Sequence, residues 1–194
     1  GATWDTANTD IAQVGLVRQN KPMVFDADDD KVEVADNSAI QNVFSSGGTI
    51  SVWVYTNSDG ENSVGRIADK ANWFFCLTDE SGGSSDIRFQ SATSGDNGDW
   101  ITTSVCVPNG VWSHLVLTYD GSSTSNNPTM YLNGVSQSIT ETTTPTSTQT
   151  SDAGSALYIG NRADGVATFD GLINDVAIWD VALDADAVTA LYGS

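Results

Sequence analysis

Residues 26–30 place four carboxylates in five positions, and Asn174 and Asp175 stand inside the otherwise apolar run 169–179. Oxygen-rich groupings of this kind suit a hard cation such as Ca2+, which takes carboxylate and carbonyl ligands. Four like charges in one short connection repel each other, and either a bound cation or plain solvation relieves that repulsion. The polar pair poses a similar choice. A strand holds such groups among Ile173, Val176 and Ile178 at a cost unless something binds them, or unless they cap a bulge.

A second chemistry open to this chain is sugar binding, which needs an exposed aromatic face for stacking and amides or carboxylates at its rim. Trp73 beside Asn72 and Trp100 beside Asp99 adjoin loops and are the candidate platforms; Asp59, Asn62, Asp96 and Arg162 are the candidate rim. Packing into the core is the competing account of both rings. Trp53, Trp112 and Trp179 read as core.

Catalytic chemistry is poorly supplied. Retaining glycoside hydrolysis needs two carboxyls about 5 Å apart, which a strand provides by spacing acids two or four residues apart on one face. Glu33, Glu61, Glu80 and Glu141 are the only glutamates and each is isolated, and no strand carries aspartates at such a spacing on an aromatic-lined face. His114 is the only histidine. It follows Ser113 directly, and adjacent strand residues point to opposite faces, so the two are not a nucleophile and its base. His114 therefore reads as a packed or hydrogen-bonded core histidine. Two cysteines and one histidine lack the spacing of a zinc finger, and no catalytic residue is assigned.

These groups sit in a chain of 194 residues, enough for one domain with a sizeable core. With 25 Asp and Glu against 7 Lys and Arg the formal charge is −18. The basic residues are scattered singly, which argues against nucleic acid or anionic membrane as partner. No apolar run approaches the roughly 20 residues of a membrane helix. The chain opens on Gly1 and polar sequence, without an initiating Met or signal peptide, and is expected to be a processed or excised piece. Cys76 and Cys106 lie in apolar, strand-like contexts. They are either a disulfide, worth on the order of 3 to 4 kcal/mol through loop closure, or two buried thiols.

The elements that must position these groups are short strands with polar turns between them. Residues 1–21 form an extension or linker with Trp4 and a short apolar patch at 14–17, and residues 22–194 form the domain. Strands are expected at 23–25, 32–34, 49–55, 73–78, 87–90, 101–107, 111–120, 157–160 and 169–179, a rhythm that predicts an antiparallel all-β domain. In 49–55 apolar groups fall on both faces, which predicts a central strand covered on both sides. Asn133-Gly134 marks a two-residue hairpin turn. The Thr/Ser tract 140–150 reads as a flexible loop or edge strand. At 184–192, Asp184 is a plausible N-cap, and Val188, Leu191 and Tyr192 share one face of a helix too short to stand alone, so it must dock on a sheet.

Six segments then occur in a recognisable order: Phe25-Asp26-Ala27-Asp28-Asp29, Thr49-Ile50-Ser51-Val52-Trp53-Val54, Trp112-Ser113-His114-Leu115 with Thr118-Tyr119-Asp120-Gly121, Tyr131-Leu132-Asn133-Gly134, Leu157-Tyr158-Ile159-Gly160-Asn161-Arg162 and Phe169-Asp170-Gly171-Leu172-Ile173-Asn174-Asp175-Val176. This order resembles the laminin G-like domains of the concanavalin A-like lectin/glucanase superfamily, alongside the pentraxins. The resemblance covers roughly residues 22–192. It implies an all-β fold, a two-sheet antiparallel jelly-roll sandwich with a short C-terminal helix, acting as a noncatalytic binding module. It also implies a structural Ca2+ joining the early acidic turn to the late strand, which here points to Asp28, Asn174 and Asp175; Asn174 and Asp175 stand where Asp and Glu are usual. The expected partner is a glycan, on an extracellular, cell-surface or virion-surface protein. The alternative is a structural decoration or attachment domain of a virus particle or cell-surface assembly that binds protein instead of sugar.

Overall fold

The computed structural model describes residues 14–15 and 21–193; the predicted extension 1–21, with Trp4, lies outside them apart from residues 14, 15 and 21. In chain order the elements are β1 Val14–Gly15, β2 Met23–Asp26, β3 Val32–Val34, β4 Gly48–Thr56, β5 Arg66–Lys70, β6 Trp73–Ser81, β7 Ser84–Ser91, β8 Gly98–Thr102, β9 Val107–Pro108, β10 Trp112–Tyr119, β11 Thr129–Leu132, β12 Val135–Ser136, β13 Ile139–Thr143, β14 Leu157–Ile159, β15 Asp170–Trp179 and the helix α1 Ala185–Tyr192. The strands form two antiparallel sheets. One has seven strands in the order β1-β15-β4-β10-β11-β12 with β2 also on β15; the other has eight, in the order β13-β8-β7-β6-β5-β14-β3 with β9 also on β7. This is the expected jelly-roll sandwich with its C-terminal helix.

Period-two alternation sorts each strand between the sheets and the outside. In β4, Ile50, Val52 and Val54 face the core, opposite Leu115 and Leu117 of β10 and Phe75, Leu77, Ile87 and Phe89 of the other sheet, all buried. An aromatic cluster anchors one end of this core: Phe44 lies edge-on to Trp73 at 5.2 Å and to Phe89 at 5.1 Å, and Phe89 stacks on Trp100 at 5.9 Å. Each such ring removes about 150–250 Å² from water, so these few residues carry much of the burial. The predicted 101–107 strand is instead two, β8 and β9, separated by four residues. Asn133 and Gly134 both have positive φ, 51° and 78°, which is the backbone of the predicted hairpin turn.

The predicted helix docks on the outer face of the seven-stranded sheet. Asp184 caps it, accepting from the Ala187 N–H at 2.9 Å, and Val188 is buried against Val116, Tyr131 and Leu183. Tyr192 stacks over Trp53 at 5.8 Å and over His114 at 6.0 Å. His114 is buried as expected, with Nε2 2.7 Å from the Ser51 hydroxyl. Burial pushes its pKa down to about 4. Cys76 and Cys106 are free thiols, so the disulfide alternative falls away. Burial raises the Cys76 thiol to about 11, which keeps it protonated.

Candidate functional site

The acidic turn and the polar pair of β15 do not meet. The Thr168 hydroxyl donates to the Asp28 carbonyl, and the Ala27 N–H donates to the Phe169 carbonyl at 3.2 Å, so the turn sits beside residues 168–169. Asn174 is six residues farther along, paired with Trp53. At the strand rise of 3.3 Å per residue the two lie roughly 20 Å apart, whereas one Ca2+ reaches only about 2.3–2.6 Å to each ligand. The expected bridge through Asp28, Asn174 and Asp175 is therefore corrected: the three do not fit one ion. Among the described residues no group of three or more His, Cys, Asp or Glu is placed to hold a metal. What the pair does instead is shape the strand. A bulge follows Asn174, and Asp175 takes φ 47°, one of the conformations that Asp tolerates better than most residues.

The candidate sugar platforms are also corrected. Trp73 and Trp100 are 2% and 0% exposed, so neither ring offers a face to a ligand. Their neighbours in sequence are loops, but alternation along β6 and β8 turns these two positions inward. The Trp73 indole N–H donates to Asp152 at 2.8 Å and that of Trp100 to Asn127 at 2.8 Å. Conversely Trp112 is 38% exposed, and Trp53 and Trp179 are half-buried on the outer face, so the three do not belong to the core between the sheets. Of the rim residues, Asn72 donates to the Ser151 carbonyl at 2.7 Å, Asp59 is buried and accepts from the Glu80 N–H, Asn62 donates to the Val166 carbonyl, and Asp96 lies in the loop held by Thr146. They do not converge on one cleft. Arg162 is the one of the seven that lines the pocket described next.

That pocket, about 610 Å³, lies on the outer face of the eight-stranded sheet and is lined by Arg66, Asp69, Phe74, Gln90, Tyr158, Arg162 and Asp164 among others. Its floor is a row of residues in register across four strands, Tyr158 of β14 opposite Asp69 of β5, then Phe74 of β6 and Gln90 of β7, with Asp99 of β8 next in the same row outside the lining. Arg66 and Asp69 are three apart, which in a regular strand puts them on opposite faces. A bulge between Arg66 and Ala68 brings both to the outer face, where Arg66 Nε donates to Asp69 Oδ2 at 3.2 Å. The Arg66 guanidinium lies 3.6 Å from the Phe74 ring centre. Burial raises the Asp69 pKa against the opposing pull of Arg66.

The walls are tied in turn. Arg88 donates through two nitrogens to Asp99, Gln90 donates to the same carboxylate at 3.1 Å, and the Asp99 contact raises the Arg88 pKa. Arg162 pairs with Asp164 at 2.8 Å at the exposed rim, and Lys31 reaches the Ala163 carbonyl at 2.7 Å while sitting 5.6 Å from the Tyr158 ring. A pocket of this kind offers an aromatic surface with hydrogen-bonding forks around it. Each strand contributes one or two of its residues, so no local sequence motif marks it. The one available signal is that basic residues occur inside strands of a strongly acidic chain.

On the opposite side of the molecule a second feature is exposed. Val24, Leu172, Tyr55 and Trp112 stand in register across β2, β15, β4 and β10. Val24 is 66% exposed and Trp112 packs on Tyr55 at 5.9 Å, giving an apolar row open to solvent.

Comparison with known proteins agrees with this architecture. The binding domain of Paraclostridial Mosquitocidal Protein 1 superposes with a TM-score of 0.61 at 19% identity, over 84% of this chain and 40% of that one. The heptameric SAP-like pentraxin of Limulus polyphemus gives 0.59 at 16% identity, covering 86% of this chain and 83% of its own. Domain 4 of the extracellular arabinanase AbnA from Geobacillus stearothermophilus, solved with arabinotriose, gives 0.54 at 24% identity, over 77% of this chain and 69% of that one. No curated protein matches by sequence. The sequence pattern of the laminin G-like family, described as the concanavalin A-like lectin/glucanases superfamily, matches residues 26–189. With most of its length inside that match, the chain belongs to the concanavalin A-like lectin/glucanases superfamily.

Proposed function

We propose that this domain is a noncatalytic binding module that holds a carbohydrate in the pocket over Phe74 and Tyr158. The observation that carries the reading is the pocket itself: aromatic faces beside the forks of Arg66, Asp69, Gln90 and Arg162. These are the groups that stack on a sugar ring and bond its hydroxyls. The four glutamates sit on four separate segments, which leaves the pocket without a glutamate pair to hydrolyse a glycoside. That a structurally similar domain was solved with arabinotriose supports the class of ligand. The setting we infer is extracellular or at a cell or virion surface, as an appendage of a larger protein.

Affinity electrophoresis through gels containing different polysaccharides tests the reading. Retention by at least one is expected, with Tyr158→Ala lowering it about tenfold through loss of a stacking face worth roughly 1.4 kcal/mol. Migration unchanged in every gel refutes it. A structural Ca2+, held at either the acidic turn or the β15 bulge, belongs to this reading as a separate element. An unfolding midpoint raised by CaCl2 and lowered again by EDTA is the expected result, and an unchanged midpoint removes the ion.

The exposed row Val24-Leu172-Tyr55-Trp112 favours a second reading, an attachment domain that docks a protein on its other sheet. Under that reading, Trp112→Ser abolishes association with the particle or surface that carries the domain and leaves polysaccharide retention intact.

A further inference from the structure

His114 is the only histidine of the chain, and it stands on the wrong side of its strand for a core residue. Along β10, Leu115 and Leu117 belong to the core between the sheets, so alternation turns His114 and Val116 to the outer face. An outward side chain is open to water unless another element covers it. His114 is nevertheless only 1% exposed. Its cover is the Trp53 ring beside it, 5.1 Å away, and the Tyr192 ring that the end of α1 lays over it at 6.0 Å and 18°.

This cover suits a neutral imidazole and no other. Nε2 lies 2.7 Å from the Ser51 hydroxyl, while Nδ1 is buried with no hydrogen-bond partner. Whichever nitrogen holds the proton of the neutral ring, the imidazolium has an Nδ1–H that faces no acceptor. The groups that surround the ring are Ser51 and Trp53 of β4, Asn133 of the hairpin turn, whose Oδ1 takes the His114 N–H, and Tyr192 of α1. None of them is a carboxylate that could balance the charge. Burial is accordingly the cause that lowers the His114 pKa. The acids of the helix, Asp184 and Asp186, sit at its far end, about 12 Å along the axis from Tyr192. Water is the one solvent for the cation, and it reaches the ring when Tyr192 has moved.

The helix can move without opening the sandwich. Val188 packs in a small cluster with Val116, Tyr131 and Leu183 that is separate from the core between the sheets. The connection from β15 is held apart from the helix, because the Thr49 hydroxyl donates to the Val181 carbonyl at 2.7 Å and accepts from the Leu183 N–H at 2.9 Å. The pivot therefore falls after Leu183, and eight residues set free there are too short to persist as a helix.

We infer that α1 is an acid-released latch: protonation of His114 expels Tyr192 from its ring and frees the helix from the outer face of the seven-stranded sheet while the sandwich stays folded. Release uncovers Trp53 and His114 beside Tyr55 and Trp112, which share their strands and their face, so the open aromatic surface grows as pH falls. The coupling is reciprocal, because whatever holds the helix down also disfavours the proton. Between the ordinary 6.5 and the folded value of about 4, the ratio of released to docked helix rises by at most about tenfold per pH unit.

Amide NMR spectra of the whole domain between about pH 7.5 and about pH 4 test this, together with the imidazole signal, which a single histidine makes unambiguous. In the wild type the amides of residues 185–192 are expected to change with the midpoint of the imidazole, while those of Val52 and Leu117 in the core stay fixed. In His114→Gln the α1 amides are expected to lose that step. Asp184 and Asp186 are present in both proteins, so the difference belongs to His114. Tyr192→Ala, at a residue 41% exposed, removes the cover and is expected to raise the imidazole midpoint toward 6.5 by at least about one pH unit, a tenfold gain in proton affinity. Circular dichroism checks that each variant is folded; if His114→Gln is not, Tyr192→Ala decides alone. Helix amides that titrate alike in the wild type and His114→Gln overturn the latch, as does an unchanged imidazole midpoint in Tyr192→Ala. Helix and core amides that change together also overturn it, since the acid then unfolds the domain as a whole.

Discussion

Replacing Asp152 by Asn is predicted to cost about 3 kcal/mol of stability, the low end of the range for stripping one partner from a buried ion pair. Lys70 and Asp152 both have side chains that are 0% exposed, with Nζ 2.9 Å from Asp152 Oδ1 and 2.8 Å from its backbone carbonyl. The same carboxylate accepts from the Asn42 N–H at 2.8 Å and the Trp73 indole at 2.8 Å. Asparagine keeps the volume and one acceptor, so packing is held constant while the charge is lost and one of the two accepting oxygens, which serve Lys70 and Asn42 or the Trp73 indole, becomes an N–H donor. Two features set the low end: Asp36 remains 3.3 Å from Lys70, and that carboxylate is partly exposed. For a domain of this size about 3 kcal/mol lowers the midpoint by roughly 6–12 °C. Urea unfolding and calorimetry of the wild type, Asp152→Asn, Lys70→Met and the double variant measure it. Because Lys70→Met removes the stranded cation, the double variant is expected to recover about 2 kcal/mol relative to the sum of the singles. A cost below about 1 kcal/mol for Asp152→Asn, or a strictly additive cycle, refutes the view that this pair is electrostatically committed.

His114 makes the domain sensitive to acid. Its folded pKa of about 4 lies below the ordinary 6.5, so its contribution is complete above pH 6.5 and is lost as pH falls from there toward 4, by at most about 1.4 kcal/mol per pH unit. Urea midpoints across that window should fall more steeply for the wild type than for His114→Gln, and equal slopes would remove His114 as the cause. Gly171→Ala is expected to cost more than the roughly 1–3 kcal/mol of its backbone strain alone. Its φ is 137° and an added Cβ would run into the Tyr55 carbonyl oxygen, which belongs to the central strand and has nowhere to go; a loss under about 1 kcal/mol would show that β15 can slide on β4.

The elements of this fold are legible in the sequence because burial writes a period into each strand. Ile50, Val52 and Val54, or Leu115 and Leu117, declare an inward face without help from the rest of the chain. Asp184 and Val188 likewise declare a capped helix that must dock. The tryptophans were harder, because a strand with apolar groups on both faces does not say which face is the core. Trp73 and Trp112 are each the first residue of a strand, yet one is buried under Phe44 and the other lies open beside Tyr55. The candidate site was least legible. Its floor comes from four strands, one residue apiece, and two of its charged groups share a face only because a bulge after Arg66 shifts the strand by one position. Arg162 was reachable as a loop arginine; Arg66, Asp69 and Tyr158 depended on pairings that no local pattern encodes. The expected Asp28–Asp175 bridge failed for a related reason. Both segments touch β15, but register sets how far apart along it they fall.

The position of β15 has a consequence for how the chain is made. This late strand, residues 170–179, joins β4 on one side and β2 and β1 on the other, so the seven-stranded sheet is completed by the end of the chain meeting its beginning. During synthesis β2 and β4 emerge more than a hundred residues before the partner that separates them. Until then each presents an unpaired edge, and the loop that must close is nearly the length of the domain. Such non-local pairing places this protein among slow folders, which leave strand edges open to other chains while they wait. The eight-stranded sheet differs in that β5, β6, β7 and β8 pair consecutively, so these contacts close much shorter loops than those of β15.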